Sequence, residues 1–117
     1  MKTTFFAALA VMLAGGALAD SPVVENVEAR QAAGGWTFDV TIRHGDEGWN
    51  HYADGWGVYL EDGTELGYRV LHHPHVEEQP FTRSLRMVTV PGGVSRVYVV
   101  PRDSVHGTGE RFAVDLK

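Results

Sequence analysis

Residues 36–43, "WTFDVTIR", decide the fold class. Trp36, Phe38, Val40 and Ile42 share one side of a period-two pattern, and Thr37, Asp39, Thr41 and Arg43 share the other. Side chains of an extended chain point alternately to opposite faces, so this pattern is a strand with one apolar and one polar face. Aromatic and β-branched residues suit such a half-buried, pleated surface. The reading extends both ways along the chain. "GWGVYLE" at 55–61 turns Trp56, Val58 and Leu60 inward, Asp62-Gly63 is a hairpin turn, and "TELGYRVL" at 64–71 returns. "FTRSLRMVTV" at 81–90 ends at Pro91-Gly92-Gly93, with "VSRVYVV" at 94–100 and "ERFAVDL" at 110–116 beyond it and "PVVENVEAR" at 22–30 before. Seven short strands with no helical period predict an all-β chain, a seven-stranded antiparallel sandwich of immunoglobulin or fibronectin type. Trp36 and Trp56 are expected in its core.

The start of the chain has a different character. "MKTTFFAALAVMLAGGALAD" places Lys2 before an apolar run from Phe5 to Leu18, with Ala17-Leu18-Ala19 ahead of Asp20. A charged start, an apolar middle and a small-x-small site form the layout of a secretory signal peptide. The run is shorter than the ~20 residues of a membrane-spanning helix. Cleavage is therefore expected after Ala19, dividing the chain into a signal peptide at 1–19 and a single domain at 20–117. The domain is expected to be periplasmic or secreted, with no membrane attachment after cleavage. The chain has no cysteine, which excludes disulfides, thiolate catalysis and Cys-ligated metals, and with no Cys after the cleavage site a lipoprotein anchor is expected to be excluded. Loss of Lys2 with the leader takes the formal charge from −5 to −6. An acidic domain with scattered arginines argues against nucleic acid as a partner.

The histidines then acquire a common address. Successive strands run up and down, so alternate connections lie at the same end of the sandwich. The connections "QAAGG", "DG" and "PGG" are short and hold no histidine. The other three are "HGDEGWNHYAD", "HHPHVEEQP" and "PRDSVHGTG", and between them they hold His44, His51, His72, His73, His75 and His106. All six are expected at one pole.

Neutral imidazole is a borderline ligand suited to zinc or copper and needs no thiol beside it. His73 and His75 flank Pro74, which favours an extended backbone at His73, and residues i and i+2 of an extended segment project to the same side. The expected ligand set is His51, His73, His75 and His106, holding a divalent transition metal, copper or zinc. Glu77, Glu78 and Asp103 are additional carboxylate ligands or acceptors that orient an imidazole. His72 has the opposite parity to His73, and His44, close to the end of its strand, is expected at the margin of the cluster. The rival reading is a metal-free network, with Arg83, Arg102, Asp103 and Glu78 as a salt-bridged clasp, serving contact with another periplasmic protein.

No catalytic constellation stands out. Asp103, Ser104 and His106 are too close in sequence to form a nucleophile relay, and Glu77-Glu78 point apart in an extended chain. The runs "WNHYADGW", "LHHPHVEEQPFTRS" and "DSVHG" resemble a group of small exported proteins of Gram-negative bacteria, over most of the chain beyond the leader. The resemblance implies a periplasmic location and brings no assigned activity with it.

Overall fold

Eight strands build the domain in the computed structural model, which describes residues 21–116. The signal peptide expected at 1–19 and its cleavage site lie outside the described residues. The strands are β1 (Val23–Ala32), β2 (Gly35–Arg43), β3 (Ala53–Tyr59), β4 (Glu65–Val70), β5 (Phe81–Val88), β6 (Arg96–Asp103), β7 (Gly107–Thr108) and β8 (Phe112–Asp115). They form two antiparallel sheets, one in the order β1-β2-β5 and one in the order β4-β3-β6-β7, with β8 also paired to β6.

The sandwich is all-β, as the alternation predicts, but it has eight strands rather than seven. The additional strand is the two-residue β7, which turns back onto the end of β6 and pairs Asp103 with Gly107. Asp103 makes that turn, because its carboxylate accepts the N–H groups of Val105 and His106 and so closes the chain on itself. Two residues are too few to show alternation, which is why the segment reads as loop in the sequence. In immunoglobulin constant domains the fourth strand joins the sheet of the first, second and fifth. Here β4 stays with β3, because the turn between them is closed tightly by Leu60 N–H to Thr64 O and Gly63 N–H to Leu60 O.

The core lies between the sheets. Phe38, Val40 and Ile42 of β2, Trp56 and Val58 of β3, and Val97 and Val99 of β6 are all buried, while Trp36 is half-buried against them. Burying a side chain of this size contributes about 1.5–3 kcal/mol relative to leaving it exposed, and that drives the two sheets together. On the outer face of β3 the alternate positions Gly55 and Gly57 carry no side chain. Tyr68 and Tyr59 lie directly over them, and a Cβ on Gly55 would come within 2.1 Å of the Tyr68 hydroxyl.

The register positions the site. β2, β4 and β6 end, and β3 and β5 begin, at the same pole, so loops 44–52, 71–80 and 104–111 meet there.

Candidate metal centre

Asp103, the last residue of β6, is the hub of this pole, and its side chain is fully buried. Its Oδ1 accepts the N–H of Val105 at 2.9 Å and of His106 at 2.5 Å. Its Oδ2 faces three imidazole nitrogens: His44 Nε2 at 3.1 Å, His51 Nε2 at 3.2 Å and His106 Nδ1 at 3.1 Å. Burial pushes the Asp103 carboxyl upward. The His106 N–H and ring, the His51 ring and the Val105 N–H outweigh that and hold it at about 2.

His44 sits deepest, contrary to its expected marginal place. It keeps the inward parity of Phe38, Val40 and Ile42 one step past the end of β2, and its side chain is fully buried. Asp46 follows two residues later and is also buried. Asp46 Oδ1 lies 2.6 Å from His44 Nδ1 and accepts the N–H of Ala53 at 3.0 Å, and its Oδ2 accepts the N–H of His75 at 2.7 Å. The N–H of His44 donates to Gln79 Oε1, and Gln79 Nε2 donates to the His75 carbonyl. One buried carboxylate and one amide thus lock the first two histidine loops together. The rings of His44 and His51 meet edge-on with centroids 4.7 Å apart, and those of His51 and His106 are 5.0 Å apart.

The proton inventory of this cluster is informative. Asp46 Oδ1 meets His44 as an acceptor, so His44 Nδ1 is the donor. In a neutral ring Nε2 then carries a lone pair, directed at Asp103 Oδ2, which is also an acceptor. Two facing lone pairs repel unless a proton or a metal cation lies between them. One carboxylate oxygen has two lone pairs and cannot accept well from three ring nitrogens. The separations of 3.1–3.2 Å also exceed the ~2.7–2.9 Å of a charge-assisted hydrogen bond. They approach the roughly 3.3 Å edge of a tetrahedron with ligand bonds of ~2.0–2.1 Å. Among the described residues, His44, His51 and Asp103 form a group whose donor atoms all lie within 4.8 Å of one another, and such a group can hold a metal ion.

The expected set of four is divided by the structure. His51 and His106 meet at Asp103, whereas His73 and His75 form a ring pair of their own with centroids 5.0 Å apart. The buried His75 ring stacks on Phe81 at 4.0 Å, and Arg83 Nη2 lies 2.9 Å from its Nε2. Burial, then Arg83, then His73 lower the basicity of His75. Its Nδ1 is buried with no hydrogen-bond partner among the described residues. His72, His73, Glu77 and Glu78 are exposed at the rim. The expected clasp is split as well: Arg83 pairs with Glu78, Arg102 pairs with Asp54, and Asp103 belongs to the histidines. Asp46 went unrecognised in the sequence. The parity run Ile42-His44-Asp46 was the available signal.

A protein of Halomicrobium mukohataei named "Putative lipoprotein" is 44% identical over 86 residues, which cover 72% of this chain and 42% of that protein. The chain thus spans less than half the length of this relative. No known family model matches the chain, and no solved structure matches it.

Proposed function

We propose that this is an exported domain that binds one divalent transition metal, zinc or copper, at its histidine pole. The ligands in this reading are His44 Nε2, His51 Nε2 and Asp103 Oδ2, and His106 Nδ1, which stands outside this converged group but 3.1 Å from Asp103 Oδ2, swings in as the fourth donor. The observation that carries it is the clamp on His44. A carboxylate that fixes one imidazole nitrogen and leaves the other directed into a polar cluster is how proteins orient a metal-binding histidine. Imidazole nitrogens with a single carboxylate suit zinc and copper, whereas calcium and magnesium require a shell of oxygens. The leader-like start, the resemblance to small exported proteins of Gram-negative bacteria, and the name of the Halomicrobium relative support export to the periplasm or beyond.

Calorimetric titration of untagged, demetallated protein with Zn²⁺ and Cu²⁺ tests this. One equivalent is expected, lost in His44→Ala and His51→Ala, and weakened in acid because a protonated imidazole cannot ligate. Equal binding by the parent and both variants would overturn the assignment.

A second reading, a metal-free module for contact with another protein, is favoured by the distribution of exposed apolar residues. Among the described residues six large hydrophobic side chains are exposed: Val23, Trp49, Val70, Val76 and Val105 lie at or beside the histidine pole, and Met87 lies at the other end. Where such residues join into one contiguous patch they mark a contact surface.

A further inference from the structure

The four donors of the proposed centre are not equivalent. The side chains of His44 and Asp103 are fully buried, that of His51 is 12% exposed and that of His106 is 41% exposed. Fixation follows the same gradient. His44 is held at ring Nδ1 by Asp46 and at its backbone N–H by Gln79, with Nε2 aimed at Asp103. His106 has two polar contacts, both to the single carboxylate of Asp103, and a ring contact with His51. His106 is followed by Gly107 in a left-handed conformation (φ +82°), which opens the two-residue strand β7. His44 and Asp103 thus stand at the ends of β2 and β6, His51 lies in the loop before β3 with its side chain mostly covered, and His106 stands on a tight turn facing solvent.

We propose that His106 is the exchangeable ligand of this centre and that the metal enters and leaves on its side, an inference that rests on the metal-binding reading above. In the exchange step the bond between the ion and His106 Nδ1 breaks as a bond to an incoming nitrogen donor forms. The departing imidazole keeps its lone pair and stays neutral, and the oxidation state of the ion does not change. His44, His51 and Asp103 hold the ion throughout, leaving the three-ligand, one-open-position arrangement from which zinc sites exchange their fourth ligand. The ligand class that fits the vacated position is a neutral imidazole, free in solution or carried on a histidine side chain.

Co²⁺, used as a coloured substitute for zinc, provides the test. The parent, His106→Gly and His51→Gly are loaded with Co²⁺, and transfer of the ion to excess chelator is followed with and without added imidazole. His106→Gly is expected to release Co²⁺ faster by more than the roughly tenfold lower bound seen when an outer partner of a metal ligand is lost. Free imidazole should restore the parent spectrum and slow release in that variant, and should do neither in His51→Gly. Release and spectrum identical to the parent in His106→Gly would overturn the proposal while leaving the centre itself intact. A parent that takes up no Co²⁺ would overturn the metal reading and this inference with it. Should the glycine variant not fold, His106→Asn carries the same release-rate comparison.

Discussion

Replacing Asp46 by asparagine tests the logic of the pole through a residue that never touches the proposed ion. The carboxylate accepts from the His44 ring, from Ala53 N–H and from His75 N–H, all in buried surroundings. An amide retains one acceptor oxygen and places an NH₂ donor where the other stood. With the oxygen towards His44 and Ala53, the NH₂ opposes His75 N–H. With the amide flipped, it opposes two donors. The first arrangement is cheaper but leaves the His75 N–H and the facing NH₂ both without an acceptor, at about 1–3 kcal/mol or more. At roughly 4–8 °C per kcal/mol for a domain of this size, the metal-free protein should melt about 8–16 °C lower for a loss near 2 kcal/mol. In the cheaper arrangement the amide oxygen still accepts from the His44 ring, but a neutral amide is a weaker orienting partner than a carboxylate, so metal affinity should fall by up to the roughly 10–100-fold seen when such a partner is lost, or about 1.4–2.7 kcal/mol. Thermal unfolding and zinc calorimetry on Asp46→Asn measure the two effects separately. Parent-like stability would refute the buried acceptor role. Lower stability with unchanged affinity would refute the orienting role.

Two further outcomes follow from other parts of the molecule. Burial, Arg83 and His73 lower the basicity of His75, against a weaker opposite pull from Asp46 and Glu78, so the folded state binds fewer protons here than the unfolded state just below ~6.5. Stability should therefore fall as pH drops below ~6.5. His75 should titrate by NMR below that value, and a midpoint at or above ~6.5 would contradict the buried, Arg83-facing geometry. Gly35→Ala should destabilise by more than ~1–3 kcal/mol in urea titration, because φ there is +139° and the new Cβ would lie 2.8 Å from the Val88 carbonyl oxygen. A loss under half that size would mean the β2–β5 edge yields more readily than its backbone contacts imply.

The architecture was legible wherever a strand was long enough to alternate. Trp36 to Arg43 displays its two faces plainly, and the connections at alternate ends put the histidine loops together whichever strands pair. The β3–β4 hairpin was legible as well, because Asp62-Gly63 marks the turn that keeps the fourth strand beside the third. β7 was not legible because it is made by the side chain of Asp103 and not by periodicity. The site was half legible for a similar reason. Composition and parity locate the pole, but they do not say which rings turn inward. His44 and Asp46 do so because the inward face of β2 runs on past its last ladder hydrogen bond. His73 and His75 share a side, as an extended segment requires, yet the His75 ring is held by Phe81 and Arg83 and its backbone by Asp46.

Anomalous diffraction at the zinc edge, on crystals of the untagged protein grown with one equivalent of zinc, measures the central claim directly. A single peak is predicted at the fully buried end of the cluster, ~2.0–2.2 Å from His44 Nε2, His51 Nε2 and Asp103 Oδ2, with His106 Nδ1 completing a tetrahedron. A peak between His73 and His75, or no ordered peak with His44 still bridging Asp46 and Asp103, would contradict it.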